Sequence, residues 1–177
     1  MTSVLLVDTI KNSLDSADTV AFPGGIYAPG HVIQTVIASS TTQASTAVTD
    51  LASPVDYLSA TITPKSASSV ILIRGNISCG GSASSIGVNL FLKAGGSLMT
   101  TSELGNDTAG LLDYGFGSTY STASQNQFSF EVMDSPATTN AFTYTVAFGR
   151  YGGSGLAYVG WHNNKSRSSL TLMEIAQ

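Results

Sequence analysis

Apolar and polar residues alternate with period two through most of this chain, and that pattern leaves little room for anything but β-structure. Phe142, Tyr144, Val146 and Phe148 fall on one face of an extended segment, with Thr143, Thr145 and Ala147 on the other. Such alternation marks a half-buried strand, because successive side chains of a strand point to opposite faces. Leu58, Ala60 and Ile62 repeat it, as do Ile86, Val88, Leu90 and Leu92. Phe128, Phe130 and Val132 share a face with Ser129 and Glu131 opposite, and Ala157, Val159 and Trp161 form another row. Val70 to Ile73 is a continuous apolar run, which predicts a strand covered on both faces, and Leu170 to Ile175 closes the chain. No window holds the i, i+3, i+4, i+7 spacing of an amphipathic helix.

Between these rows lie turn signals: Pro64-Lys65-Ser66, Cys79-Gly80-Gly81-Ser82, Ala94-Gly95-Gly96-Ser97, Gly152-Gly153-Ser154-Gly155 and Asn163-Asn164. Short strands at near-regular spacing, joined in this way, predict an all-β fold, and a jelly-roll-like antiparallel β-sandwich is the architecture expected. The knot Asp134-Ser135-Pro136-Ala137-Thr138-Thr139-Asn140 reads as a tight corner that sets the register of the strand after it, since a slip of one residue would turn every ring outward. Residues 1–30 differ in character, with a short apolar run from Val4 to Val7 and breaks at Pro23-Gly24-Gly25 and Pro29-Gly30. They read as an N-terminal arm, and residues 31–177 as the sandwich. The Ser/Thr-rich stretch 38–52 fits a strand or a long loop, and 95–127 is the longest interval of mixed signals, where insertions often carry function.

Charge narrows the partners. Only 10% of residues are charged and the net charge is −4, against roughly 25% charged residues in an average soluble domain. Neutral hydroxyls therefore carry solubility, a surface with little self-repulsion that suits packing against copies of itself. The seven Lys and Arg residues are scattered, so no basic stripe exists to displace counterions from nucleic acid. No apolar run reaches the roughly 18 residues of a membrane span. The start, MTSVLLVDTIK, lacks the basic and apolar regions of a secretory signal. One cysteine, Cys79, allows no intrachain disulfide. Synthesis in a cytoplasm is expected.

Searches for chemistry return little. Gly152-Gly153-Ser154-Gly155 approaches a nucleophile elbow, but Leu156 stands where the last glycine belongs and no helix follows. Gly115 and Gly117 lack the third glycine of a dinucleotide loop. His31 and His162 have no second ligand at metal spacing. Glu103, Asp107 and Asp113 miss the alternating oxygens of a calcium loop and read as a solvated acidic loop. No catalytic residue, metal or cofactor is expected. Phe128, Phe130, Phe142, Tyr144 and Phe148 are assigned to the core. Tyr114, Phe116, Tyr120, Tyr151 and Trp161 lie in or beside Gly-, Ser- and Asn-rich turns and are the candidate surface-binding rings, because a flat ring stacks on a sugar or anchors an interface.

Four segments in order carry a family resemblance: Gly30-His-Val-Ile-Gln-Thr-Val36, Leu58-Ser-Ala-Thr-Ile-Thr-Pro-Lys-Ser66 leading into Ser69-Val-Ile-Leu-Ile73, the Asp134–Val146 stretch, and Ser169-Leu-Thr-Leu-Met-Glu-Ile175. Together they resemble a family of phage virion proteins, tail-fibre-like and other structural proteins of phages of cyanobacteria and marine bacteria, over most of residues 30–177. Val4-Leu-Leu-Val-Asp-Thr-Ile-Lys-Asn12 is similar to the short start of many fibre proteins. The resemblance implies a non-enzymatic virion component with a trimeric sandwich head. Val4, Leu5, Leu6, Val7, Ile10 and Phe22 of the arm would then dock it to other virion proteins, and its loops would touch a host surface glycan or protein. A capsid decoration or head-fibre protein that braces capsomers is the alternative, and a free-standing carbohydrate-binding or carbohydrate-active module a third. Glu174, at a buried-looking position of the closing strand, would pair or lie at a trimer contact.

Overall fold

The computed structural model describes residues 29–49, 53–82, 86–99, 126–151, 154–160 and 166–177. Ten strands run through them: β1 (Val32–Ser40), β2 (Ala44–Thr46), β3 (Val55–Ile62), β4 (Val70–Gly81), β5 (Gly87–Ala94), β6 (Ser97–Leu98), β7 (Asn126–Asp134), β8 (Phe142–Tyr151), β9 (Ala157–Val159) and β10 (Ser168–Ile175). No helix occurs among the described residues.

Five antiparallel pairings nest one inside the next: β1 with β10, β2 with β9, β3 with β8, β4 with β7 and β5 with β6. The chain is therefore one long hairpin, rolled up so that its pairs fall into two sheets. Lateral pairing of β4 with β10 and β9 completes the first sheet, and of β5 with β8 the second. Cys79 of β4 faces Asn126 of β7 on one side and Val159 of β9 on the other. So β9 continues the lane of β10, and β2, paired to β9, continues that of β1. The first sheet thus has four lanes, β1/β2, β10/β9, β4 and β7. The second is β3-β8-β5-β6. Two four-lane antiparallel sheets made by rolling a hairpin are a jelly roll, the architecture the alternation led us to expect.

The alternation names the inner faces of β3, β5, β7 and β8 correctly. Ile71, Ile73, Ile77, Leu170 and Leu172 from the first sheet meet Leu58, Ile62, Leu90, Leu92, Tyr144, Val146 and Phe148 from the second, all buried. Each fully buried aliphatic side chain contributes about 1.5–3 kcal/mol relative to exposure. Phe128, Phe130, Val132 and Phe142 close the margin of this core. Gly75 stands directly opposite Phe130, and a Cβ at Gly75 would occupy the space of the Phe130 ring. The ring fills the gap that the glycine leaves in the inner face.

Two local readings need correction. Within Val70–Ile73, Ile71 and Ile73 are buried but Val70 and Leu72 are only half-buried, because they sit on the outer face of the first sheet. The strand covered on both faces is β5, where Gly87 to Leu92 are all buried. There Asn89 and Phe91 point away from the inner cluster, and polar Asn89 interrupts the apolar run that would have announced the burial. The Ser135–Ala141 corner carries the chain from β7 in the first sheet to β8 in the second. Asp134 holds it from both sides: Oδ1 accepts the Ser135 amide at 2.8 Å and Oδ2 accepts the buried Tyr144 hydroxyl at 2.6 Å. Ala137 at the bend takes φ 51°, in the left-handed region. The stretch 38–52 supplies the end of β1 and all of β2, with loop at 41–43 and 47–49.

Candidate functional site

Register places the outward side chains of the first sheet in rows. Ser39, Ser169, Asn76 and Ser129 form a polar row across β1, β10, β4 and β7. The next row is Ile37, Thr171, Arg74 and Glu131, and the one beyond is Thr35, Met173, Leu72 and Met133. Arg74 Nε donates to Glu131 Oε2 at 2.7 Å, with both side chains more than half exposed. An ion pair that open contributes little to stability, about 0–1 kcal/mol. It does set a donor and an acceptor side by side at fixed spacing.

Around this pair lies a shallow depression of about 490 Å³, bordered by Asn76, Ser129, Ser169, Thr171 and Met173. It offers an amide, three hydroxyls, a guanidinium, a carboxylate and one thioether. The set mixes hydrogen-bond donors and acceptors on one open surface. Among the described residues no three His, Cys, Asp or Glu side chains gather as a metal site. Cys79 is buried, and burial pushes its thiol up to about 12, which removes it from nucleophilic chemistry.

The other concentration of polar groups is internal. Glu174, on the inner face of β10, is fully buried. Its Oε2 accepts Gln34 Nε2 at 2.6 Å, and its Oε1 accepts the amides of Lys65 at 2.7 Å and Ser66 at 3.3 Å. Gln34 Nε2 also donates to the Thr63 carbonyl at 2.7 Å. One carboxylate thus ties β1 and β10 to the turn that carries the chain from β3 to β4. Burial by itself would raise the Glu174 carboxyl. Donation from Gln34, with the Ser69 hydroxyl close by and the Lys65 and Ser66 amides, outweighs it and holds the group below the usual carboxylate range. The Ser69 hydroxyl falls short of hydrogen-bond geometry. The donors that meet Glu174 come from two separate elements of its own chain, β1 and the β3–β4 turn, so this is a structural clamp.

The sequence candidates fall elsewhere. Val4, Leu5, Leu6, Val7, Ile10 and Phe22 lie outside the described residues, as do Tyr114, Phe116, Tyr120, Trp161, His162, Glu103, Asp107 and Asp113. The backbone of Tyr151 ends β8 opposite Gly87, and its side chain is not among those described. His31 is exposed beside β1. Arg74, Asn76 and Thr171, which border the depression, carry no motif. Only the outward setting of Glu131, opposite the Phe128 and Phe130 rings, was readable from the alternation.

No family model matches this chain, and no curated protein does. Among solved structures, infectious bursal disease virus of the Gt strain aligns at 12% identity and a TM-score of 0.43, over 96% of this chain and 47% of that one. T=1 particles derived from infectious bursal virus align at 12% identity and 0.42, over 95% and 44%. The chain spans less than half the length of the structural relatives it matches.

Proposed function

We propose that this protein is a non-enzymatic structural component of a phage particle, an adhesive jelly-roll module of the tail fibre or baseplate. On this reading it holds a host surface glycan on the outer face of its first sheet. The observation that carries the reading is the Arg74–Glu131 pair set in a hydroxyl-lined depression on a jelly roll. Jelly rolls serve in viral capsid and lectin domains alike, and the ordered segments from Gly30 to Ile175 resemble virion proteins. Fold alone does not assign a role, so the reading rests on the chemistry of the site. A sugar presents vicinal hydroxyls that both donate and accept. The guanidinium and carboxylate, 2.7 Å apart, answer both at once, while Met173 offers an apolar contact to the ring C–H groups.

Two measurements test it together. Gold-labelled antibody on intact particles should mark the tail or its fibres. Binding of the purified protein to host surface polysaccharide should weaken at least about tenfold in Arg74→Ala, a loss of about 1.4 kcal/mol. That variant should melt where the wild type does, since the pair is exposed. Label confined to the head would favour capsid decoration over adhesion. Equal binding by the wild type and Arg74→Ala would remove the depression from the mechanism.

A further inference from the structure

Among the described residues the rolled hairpin leaves four lanes with an unpaired edge: β1/β2 and β7 in the first sheet, β3 and β6 in the second. An edge presents a row of unpaired amides and carbonyls, and proteins guard such rows with charge, proline, bulges or brevity. Three of the four are guarded. β6 is two residues long. β3 carries Asp56, ion-paired to Lys93, and a register shift between Asp56 and Leu58. β7 carries Glu131 and ends on Asp134.

β1 is different. Its nine residues, Val-Ile-Gln-Thr-Val-Ile-Ala-Ser-Ser, include no charge and no proline, and its only irregularity lies at the very start, between Val32 and Gln34. Among the described residues its backbone pairs with β10 alone. It also bears the most exposed large apolar side chain of those described, Ile37 at 66%, with Val32 at 54%. Ile37 lies in the same outward row as the Thr171 hydroxyl, next to the row of Met173 and Leu72.

We propose that β1 is the contact between two copies of this chain, joined antiparallel about a two-fold axis so that the first sheets of both run on as one. The low charge content, 10% of residues, leaves little repulsion between copies and favours this occupant, and the placing of the acids selects this edge. Each copy carries a net −4, so two copies meet at least cost where neither brings an acid. Self-pairing of β7 would set its Glu131 and Asp134 into the seam, and self-pairing of β3 its Asp56, whereas β1 meets β1 with neutral residues only. An antiparallel two-fold is also self-complementary, the condition for a closed pair. Residues directly opposite in an antiparallel pair share a face. Centring the axis on Ile37 therefore sets the two Ile37 side chains against each other and removes the apolar exposure of both. The unit in solution is then a pair, where the family resemblance implies a trimer. The contact stands whether or not the depression binds a glycan.

Sedimentation velocity on the full chain over a range of concentrations tests it, with two variants that place the same charge on opposite edges of one face. Ile37→Lys puts an ammonium into the seam at an exposed site, and Met133→Lys puts one at a 60% exposed site on β7. The expected result is twice the chain mass for the wild type and for Met133→Lys, and the single-chain mass for Ile37→Lys, with unchanged circular dichroism in all three. A monomeric wild type, a three-fold mass, a paired Ile37→Lys or a Met133→Lys that also dissociates would each overturn the proposal. None of these outcomes bears on polysaccharide binding, so the two readings fail separately.

Discussion

Replacing Glu174 by Gln removes one charge and almost no volume, and the clamp it forms makes the cost calculable. In the wild type the carboxylate accepts from three donors: Gln34 Nε2, the Lys65 amide and the Ser66 amide. The carbonyl of the introduced side chain can keep the two amides of the β3–β4 turn, but its NH₂ then faces the Gln34 NH₂. Turning the Gln34 amide over would restore that contact and break its bond to the Thr63 carbonyl. One hydrogen bond is lost either way and the charge-assisted ones become neutral, a cost of about 2 kcal/mol at neutral pH. For a chain of this length that lowers Tm by about 4–8 °C. The sign of the pH dependence follows from the direction of the shift. The folded carboxyl lies below its usual range, so its contribution is full above the unfolded value of about 4.3 and is lost as pH falls through the folded one. Wild-type stability should therefore drop toward that of Glu174→Gln on acidification, until the protonated carboxyl and the introduced amide are equivalent. Urea unfolding followed by circular dichroism at neutral pH and at about pH 2.5, below the usual carboxylate range, makes the comparison. A variant as stable as the wild type at neutral pH would refute the clamp. A gap that stays constant into acid would refute the assignment of its charge.

Two further perturbations probe the packing. Gly75→Ala should destabilise by about 1–3 kcal/mol, as overpacking does, because its Cβ enters the space of the Phe130 ring. Phe130→Leu in the same chain should recover part of that loss, and strictly additive effects in denaturant melts would show that the two positions do not touch. At Ala137, whose φ of 51° is unfavourable for alanine, Asn tolerates the left-handed region and should raise stability by about 0.5 kcal/mol. A fall in the melting midpoint would mean that the corner relaxes without strain.

How far the fold could be read from the sequence depended on distance along the chain. Alternation is a local property, so it revealed the inward faces of β3, β5, β7 and β8 residue by residue. It also placed Glu174 among buried side chains. It could not supply the partners of Glu174, because Lys65 and Gln34 reach it only after the hairpin has rolled up. The Arg74–Glu131 pair was hidden for the same reason: the two residues meet through the register of β4 against β7. The second-face burial of Asn89 and Phe91 had no local signature, since a polar residue in mid-run reads as an outward position. The apolar arm and the aromatic loop residues Tyr114, Phe116, Tyr120 and Trp161 lie outside the described residues.

The nesting of the strand pairs has a mechanical consequence. Gly30 donates its amide to the Ala176 carbonyl, and Ala176 donates to the His31 carbonyl, so the outermost pair of the hairpin is fastened where the described chain enters and leaves. A force pulling residues 29 and 177 apart would load those bonds one at a time, peeling β10 from β1 like a zip. A force dragging β1 lengthwise along β10 would load the whole ladder together and meet far greater resistance. The domain is therefore anisotropic under tension: weak against separation of its two ends and strong against sliding of one strand along the other.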